Sequence, residues 1–162
     1  FRTVPSDARE GAVMADILTD RGVKSIALTY SNSDYGKGLA EAIANAFTAK
    51  GGTVTINASH DDGKADYSAE VAALAAAGGD VLVVAGYIDQ GGKGIIQAAV
   101  DTGAFTTFGL PGGMYGESLI AAIGNSLVQL EILVITSGDP TFVTDTIVAY
   151  AKPPCTQHKA IP

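Results

Sequence analysis

The chain has 162 residues, of which 47 % are apolar and 17 % charged, with 20 glycines and a formal net charge of −7. That length fits one ordinary domain able to bury a real core, and the composition excludes both a disordered acidic polymer and a heptad-rich coiled coil. The ten basic residues are scattered, which excludes a nucleic-acid surface, and no apolar run reaches the roughly 20 residues that span a bilayer, which excludes membrane insertion.

Asp7 and Glu10 have the spacing of a capping box ahead of Val13, Met14, Ile17 and Leu18, whose recurrence gives one apolar face, and Gly22 supplies a stop. Residues 7–21 therefore read as a helix. Residues 24–30 read as a short apolar strand, and the polar turn Ser31 to Asp34 leads into a helix with Leu39, Ile43 and Phe47 on one face. The alternation repeats with a strand at 53–58, a polar loop at 59–66, a helix at 67–77 and a strand at 80–85. Val81 to Ala85 is apolar on both parities, the pattern of a strand covered on both faces in a parallel sheet. A helix at 90–101, a strand at 106–110 and a helix at 115–123 continue the unit. Residues 127–135 can make one more strand, and Asp139-Pro140 offers an N-cap and a first-turn proline for a last helix through Phe142, Ile147 and Tyr150. The expected architecture is one α/β lobe over residues 1–151, a doubly wound, mainly parallel sheet in a three-layer sandwich, followed by an irregular tail at 152–162. Ligands in such sheets bind outside the carboxyl ends of the strands, so the loops at 31–36, 59–66, 86–91 and 111–116 are the places to seek function.

The motifs of covalent and cofactor chemistry fail on spacing. The turn after the first strand lacks the G-x-G-x-x-G of a dinucleotide fold, and Gly86 to Gly94 puts five residues between Gly86 and Gly92 where a phosphate loop has four. Gly116-Glu-Ser118 begins like a nucleophile elbow without its closing glycine, and only His60 and His158 exist to serve as a base. His60 in a polar loop reads as a solvated surface histidine, and His60-Asp61-Asp62 as solvated charge in place of a metal site. Asp34 and Glu117 form a conceivable acid and base pair that nothing desolvates. The single cysteine, Cys155, excludes an intrachain disulfide and reads as inert. No metal and no cofactor are expected, and the chain reads as a binding module in preference to an enzyme.

Five stretches carry a resemblance: Phe1-Arg-Thr-Val-Pro-Ser-Asp7, Asp34-Tyr-Gly-Lys-Gly38, Asp66-Tyr-Ser68, Val84-Ala-Gly-Tyr87 and Phe108-Gly-Leu-Pro111. In order and spacing they resemble the second lobe of the type I periplasmic solute-binding proteins, in particular the branched-chain amino acid group of ABC importers, over about residues 1–124. The resemblance implies an amino-acid-type ligand contacted by Tyr35 after the first strand and by Tyr87 after the third, with the rings giving apolar and cation–π contact. Asp34, Gly86, Asp89 and Gly112 complete the expected ligand-binding set, Gly86 through close backbone approach. One departure stands out: the family commonly places an acid after the proline of the fourth strand loop to pair with the ligand ammonium, and this sequence has Gly112 after Pro111. Asp89 and Glu117 are the substitutes the sequence offers.

The resemblance further implies a periplasmic protein whose intact form partners an importer permease, and it leaves the first lobe and the return crossing outside this chain. Phe1 in place of Met fits a processed or trimmed product. A lobe without its partner is expected to bind amino acids only weakly, and to self-associate as a homodimer through an apolar surface around Tyr35, Tyr87, Pro111 and Met114. Two alternatives share the fold: a small α/β enzyme domain and a ligand-sensing regulatory domain.

Overall fold

The computed structural model describes residues 6–114 and 119, together with the backbone of 129–135 and 143–150. Helices and strands follow in the order α1 (Asp7–Asp20), β1 (Ser25–Ser31), α2 (Asp34–Ala49), β2 (Thr53–His60), α3 (Ser68–Ala77), β3 (Val81–Ala85), α4 (Lys93–Asp101), β4 (Thr107–Pro111), β5 (Gln129–Ile135) and β6 (Val143–Tyr150). The strands form one sheet in the order β2-β1-β3-β4-β5-β6. Strands β1 to β5 are parallel to their neighbours, and β6 is antiparallel to β5. Helices cover both faces, so the doubly wound, mainly parallel α/β sandwich expected from the alternation is the fold.

Side-chain parity assigns the layers. Ile26, Leu28, Val81, Val83 and Ala85 point into one core with Met14 and Leu18 of α1 and Ile43 and Phe47 of α2. Ala27, Leu82 and Val84, on the alternate parity, point into the other core with Val71 and Leu74 of α3 and Ile95 and Ile96 of α4. A strand with apolar side chains on both parities can be satisfied only between two helical layers, and each fully buried Leu, Ile or Phe contributes about 1.5–3 kcal/mol. Both β1 and β3 are sealed in this way, and their ends are correspondingly rigid platforms for the loops that leave them.

Three expectations are corrected. The cap of α1 is Ser6, whose hydroxyl accepts the Arg9 N–H at 3.2 Å, so the capping pair sits one residue earlier than Asp7 and Glu10 and leaves the Glu10 side chain for another partner. The loop expected to begin at Ser59 begins later, because β2 runs through His60 in register with Ser31 of β1. The helix expected through Ile147 and Tyr150 is a strand: Val143, Thr144, Thr146, Ile147 and Val148 are all β-branched, and pairing with β5, Ile132 opposite Ile147, hydrogen-bonds the stretch. Of the helix expected at 115–123, Leu119 is described, as helical and buried. Asp139, Pro140, Phe142 and the tail at 152–162 lie outside the described residues.

Candidate functional site

Because β1, β3 and β4 are parallel, their carboxyl ends at Ser31, Ala85 and Pro111 open on one edge of the sheet. After β1 the chain turns at once into α2, capped by Ser33, whose Oγ accepts the Gly36 N–H at 3.1 Å, and this sets Tyr35 in the first helical turn. After β3 comes Gly86 at φ 149°, where a Cβ would lie 2.5 Å from Ser31 Oγ. Both the backbone angle and the lack of room require glycine there, and the two strand exits are thereby held together. The next residue is Tyr87. Its ring stacks on Tyr35 with centroids 4.9 Å apart and planes at 30°. Tyr87 is 45 % exposed, the one large hydrophobic side chain so exposed among the described residues, whereas Tyr35 is half-buried against the α1 and α2 core. Burial raises the Tyr35 phenol well above its ordinary pKa, with Glu10, Tyr87 and Asp7 acting in the same direction.

The exit of β4 forms the floor of this edge. A Cβ on Gly113 would lie 2.3 Å from the Gly86 carbonyl oxygen, 3.2 Å from Tyr87 Cδ1 and 3.3 Å from the Tyr35 hydroxyl, so the β4 loop is packed directly under both rings. Gly112 is tied back to α1, its N–H donating to Glu10 Oε1 at 2.6 Å. Glu10 is buried, and burial raises its carboxyl above the ordinary value; the Gly112 N–H opposes that rise and Asp7 adds to it. Sequence reasoning missed Glu10 and Gly113. A signal for Glu10 did exist, since it continues the stripe of Val13, Met14, Ile17 and Leu18 on the face of α1 that points inward.

The other expected site residues are more dispersed. Asp34 is exposed in the first turn of α2. Asp89 is exposed and lines a groove with Asp62, Lys64 and Tyr67 on the α3 and α4 side. Glu117 lies outside the described residues. Pro111 and Met114 are buried, so the apolar surface expected around them narrows to the tyrosines. His60 is not solvated: it is 1 % exposed, its Nδ1 pairs with Thr29 Oγ1 at 2.9 Å, its ring meets Tyr67 edge-on, and its Nε2 is buried without a hydrogen-bond partner. Burial lowers its pKa, outweighing the Gln90 backbone and the carboxylates of Glu70, Asp61 and Asp62.

Among the described residues no group of three or more His, Cys, Asp or Glu side chains is placed to hold a metal ion, and no helix is long and apolar enough to cross a membrane. A cavity of about 490 Å³ opens at the opposite end of the sheet, lined by Arg21, Lys24, Asp80 and Thr107. Its carboxylate is already committed, since Asp80 accepts the N–H groups of Lys24 and Ser25 at 2.9 and 2.8 Å, and none of its described lining residues is aromatic. The carboxyl edge, with its stacked and partly exposed rings, is the better candidate.

A family model described as periplasmic binding protein matches residues 1–144. The chain belongs to that family. Among its relatives, the Leu/Ile/Val-binding protein homolog 3 of Brucella melitensis is 38 % identical over 93 residues, which cover 57 % of this chain and 25 % of the relative. A leucine-binding protein of Thermotoga maritima superposes with a TM-score of 0.70 at 24 % identity, over 82 % of this chain and 38 % of that one. A solute-binding protein of an ABC transporter from Rhodopseudomonas palustris, in complex with 4-hydroxybenzoate, does so with a TM-score of 0.71 at 20 % identity, over 82 % of this chain and 37 % of that one. These solved structures share the fold, and the periplasmic binding protein chain described here spans only part of the length of the relatives it matches.

Proposed function

We propose that this chain forms the ligand-facing lobe of an amino-acid-type solute receptor that serves an ABC importer from the periplasm and carries out no covalent chemistry. The Tyr35–Tyr87 stack carries the reading: a half-exposed ring held on a rigid strand end, backed by a second ring, is an apolar and π-rich platform that the core does not need. Gly86 and Gly112 shape the backbone around the platform, and Asp34 stands next to Tyr35 in the first turn of α2, while Asp89 faces the groove it shares with Lys64 and Tyr67. The names of the Brucella and Thermotoga relatives point to branched-chain amino acids as the ligand class. The permease is the partner of the whole receptor, and Tyr87 is the seat of any two-fold self-association of this lobe.

Titration with leucine, isoleucine and valine, followed through the tyrosine ring resonances by NMR, tests the proposal. A single open face supplies part of the contact that an enclosing site provides, so the expected dissociation constants are millimolar, which corresponds to about 4 kcal/mol. Tyr87→Ala is expected to abolish the response while leaving the fold intact. Rings that none of the three amino acids moves would sink the proposal, and micromolar binding would show that one face suffices without enclosure.

A further inference from the structure

Loops leave the carboxyl edge after β1, β2 and β3, and one buried side chain lies where the three meet. His60 ends β2, opposite Ser31 of β1. Its carbonyl accepts the Asn32 N–H at 2.9 Å, and its Nδ1 pairs with Thr29 Oγ1, which ties it to β1 and the loop that follows. Tyr67, edge-on to the imidazole, fastens the loop after β2 by donating to the Asp61 carbonyl at 3.0 Å. Gly91 arrives from the third loop, so close that a Cβ on it would lie 2.8 Å from His60 Cδ2 and 2.8 Å from the Tyr67 hydroxyl. The turn Ile88–Gly92 thus covers the imidazole, whose Nε2 is shut away from water without a hydrogen-bond partner.

That turn is both the irregular part of the seat and the part joined to Tyr87. Inside it Gln90 (φ −109°, ψ 54°) and Gly91 (φ 83°) depart from helical angles, and the second of these favours glycine. Tyr87 immediately precedes the turn: its carbonyl accepts the Gln90 N–H at 3.1 Å, and a Cβ on Gly92 would lie 2.9 Å from the same oxygen. A shift of the turn therefore moves the Tyr87 backbone. Asp61 and Asp62 from the end of β2 and Glu70 from α3 face the imidazole, Lys64 is paired with Glu70, and Asp89 and Lys93 line the adjoining groove. The three carboxylates and the Gln90 backbone favour the imidazolium, and burial outweighs them. A proton on His60 would put a charge into a seat where Thr29 is its one side-chain hydrogen-bond partner among the described residues, and opening a turn to water costs less than burying an ion so poorly compensated. The closed seat is present above about pH 6.5 and is lost as the pH falls through the lowered folded value. Resting on the reading of Tyr87 as a ligand contact, we infer that His60 is the positioning residue of the Tyr87 loop: its neutral ring holds the turn Ile88–Gly92, and with it Tyr87, in the ligand-receiving position, and acid releases the turn and the ligand together.

NMR titration of the chain as it stands, downward from about pH 8, tests this without a variant. The Tyr87 ring and the backbone N–H groups of 88–92 are expected to move at the same midpoint as the His60 imidazole, below about pH 6.5, while the methyl groups of Leu28 and Val83 in the other core stay in place. One unit below that midpoint about a tenth of the molecules keep the seat closed, so leucine should bind about tenfold more weakly there than at neutral pH. His60→Asn keeps an acceptor where Nδ1 stands and takes up no proton in this range; its leucine affinity is expected to stay within about twofold from end to end, with His158 retained as the control for titration elsewhere. The inference is overturned, and the tyrosine site left standing, by a Tyr87 ring that stays still while His60 titrates, by parent leucine affinity that changes less than about twofold, by an equal acid loss in His60→Asn, or by Leu28 and Val83 collapsing with the turn. Rings that leucine leaves unmoved at neutral pH overturn the site reading itself, and the inference with it.

Discussion

Gly113→Ala measures how tightly the β4 loop supports the aromatic pair. Gly113 is not among the glycines with positive φ, so its backbone accepts an L-residue, and the loss of glycine's freedom in the unfolded chain would by itself stabilise by about 0.4–1 kcal/mol. Against that, the new Cβ would stand 2.3 Å from the carbonyl oxygen of Gly86, and restoring ordinary van der Waals separation needs a displacement of about 1 Å. The oxygen cannot retreat easily, because Gly86 is itself pressed against Ser31 at the end of β1. Overpacking of this kind costs about 1–3 kcal/mol, so the net expectation is a loss of about 1–2 kcal/mol and a fall in Tm of roughly 2–8 °C. The rings, in contact with the same site, must move too, and the leucine-induced shifts of Tyr35 and Tyr87 should shrink or vanish. Gly22→Ala is the control: its φ is 78° with open space around it, so it should cost about 1–2 kcal/mol through backbone conformation alone and leave the rings untouched. A Gly113→Ala protein that melts at or above the parent, with unmoved ring resonances, would refute the claim that this glycine is the floor of the site.

His60 should make the fold sensitive to acid. Its pKa is lowered in the folded chain, so its contribution to stability is present above the unfolded value of about 6.5 and is lost as the pH falls through the folded value. Thermal melts across this range should show the parent losing Tm on acidification and His60→Gln losing less; parallel curves would contradict the buried, neutral imidazole. Self-association should follow Tyr87, the most exposed large hydrophobic described. Light scattering over a concentration series is expected to show a dimer that Tyr87→Asp shifts to monomer, and a parent that stays monomeric at high concentration would remove this face as an interface.

The layered fold was legible because parity is a local signal: Val81 to Ala85 shows apolar residues on both faces within five positions, and the glycines and polar turns that bracket each strand lie close by. The meeting of Tyr35 and Tyr87 was legible for a topological reason, since successive parallel strands must emit their loops at one edge whatever the side chains. What escaped were features set by contacts distant in sequence. The β6 strand depends on β5 as its partner, and a proline-led cap signal upstream gave no hint of that pairing. His60 looks polar and exposed beside Asp61 and Asp62, yet Thr29 on the neighbouring strand gives its Nδ1 a buried partner. The sequence offers Asp89 and Glu117 as substitutes for the acid missing after Pro111, while Glu10 reads there as part of a helix cap that Ser6 in fact provides.

That last displacement has a physical logic. An acid in the first turn of a helix is ordinarily stabilised by the free N–H groups of its own helix, and at the surface this is a sufficient reason for it to be there. Once Ser6 accepts the Arg9 N–H, the demand at the start of α1 is reduced, and the Glu10 side chain is free to lie along the apolar stripe toward the strand ends. There it meets the β4 loop, where the Gly112 N–H donates to its Oε1 and Gly113, with no side chain, packs close to Gly86 and the two rings. An acid on the loop itself would have to hold its own position; an acid on α1 is held by a helix buried through Val13, Met14 and Leu18. The position of this acid is therefore set by the core of the lobe, and Glu10→Ala, which strips the Gly112 N–H of its acceptor, should loosen the start of the β4 loop.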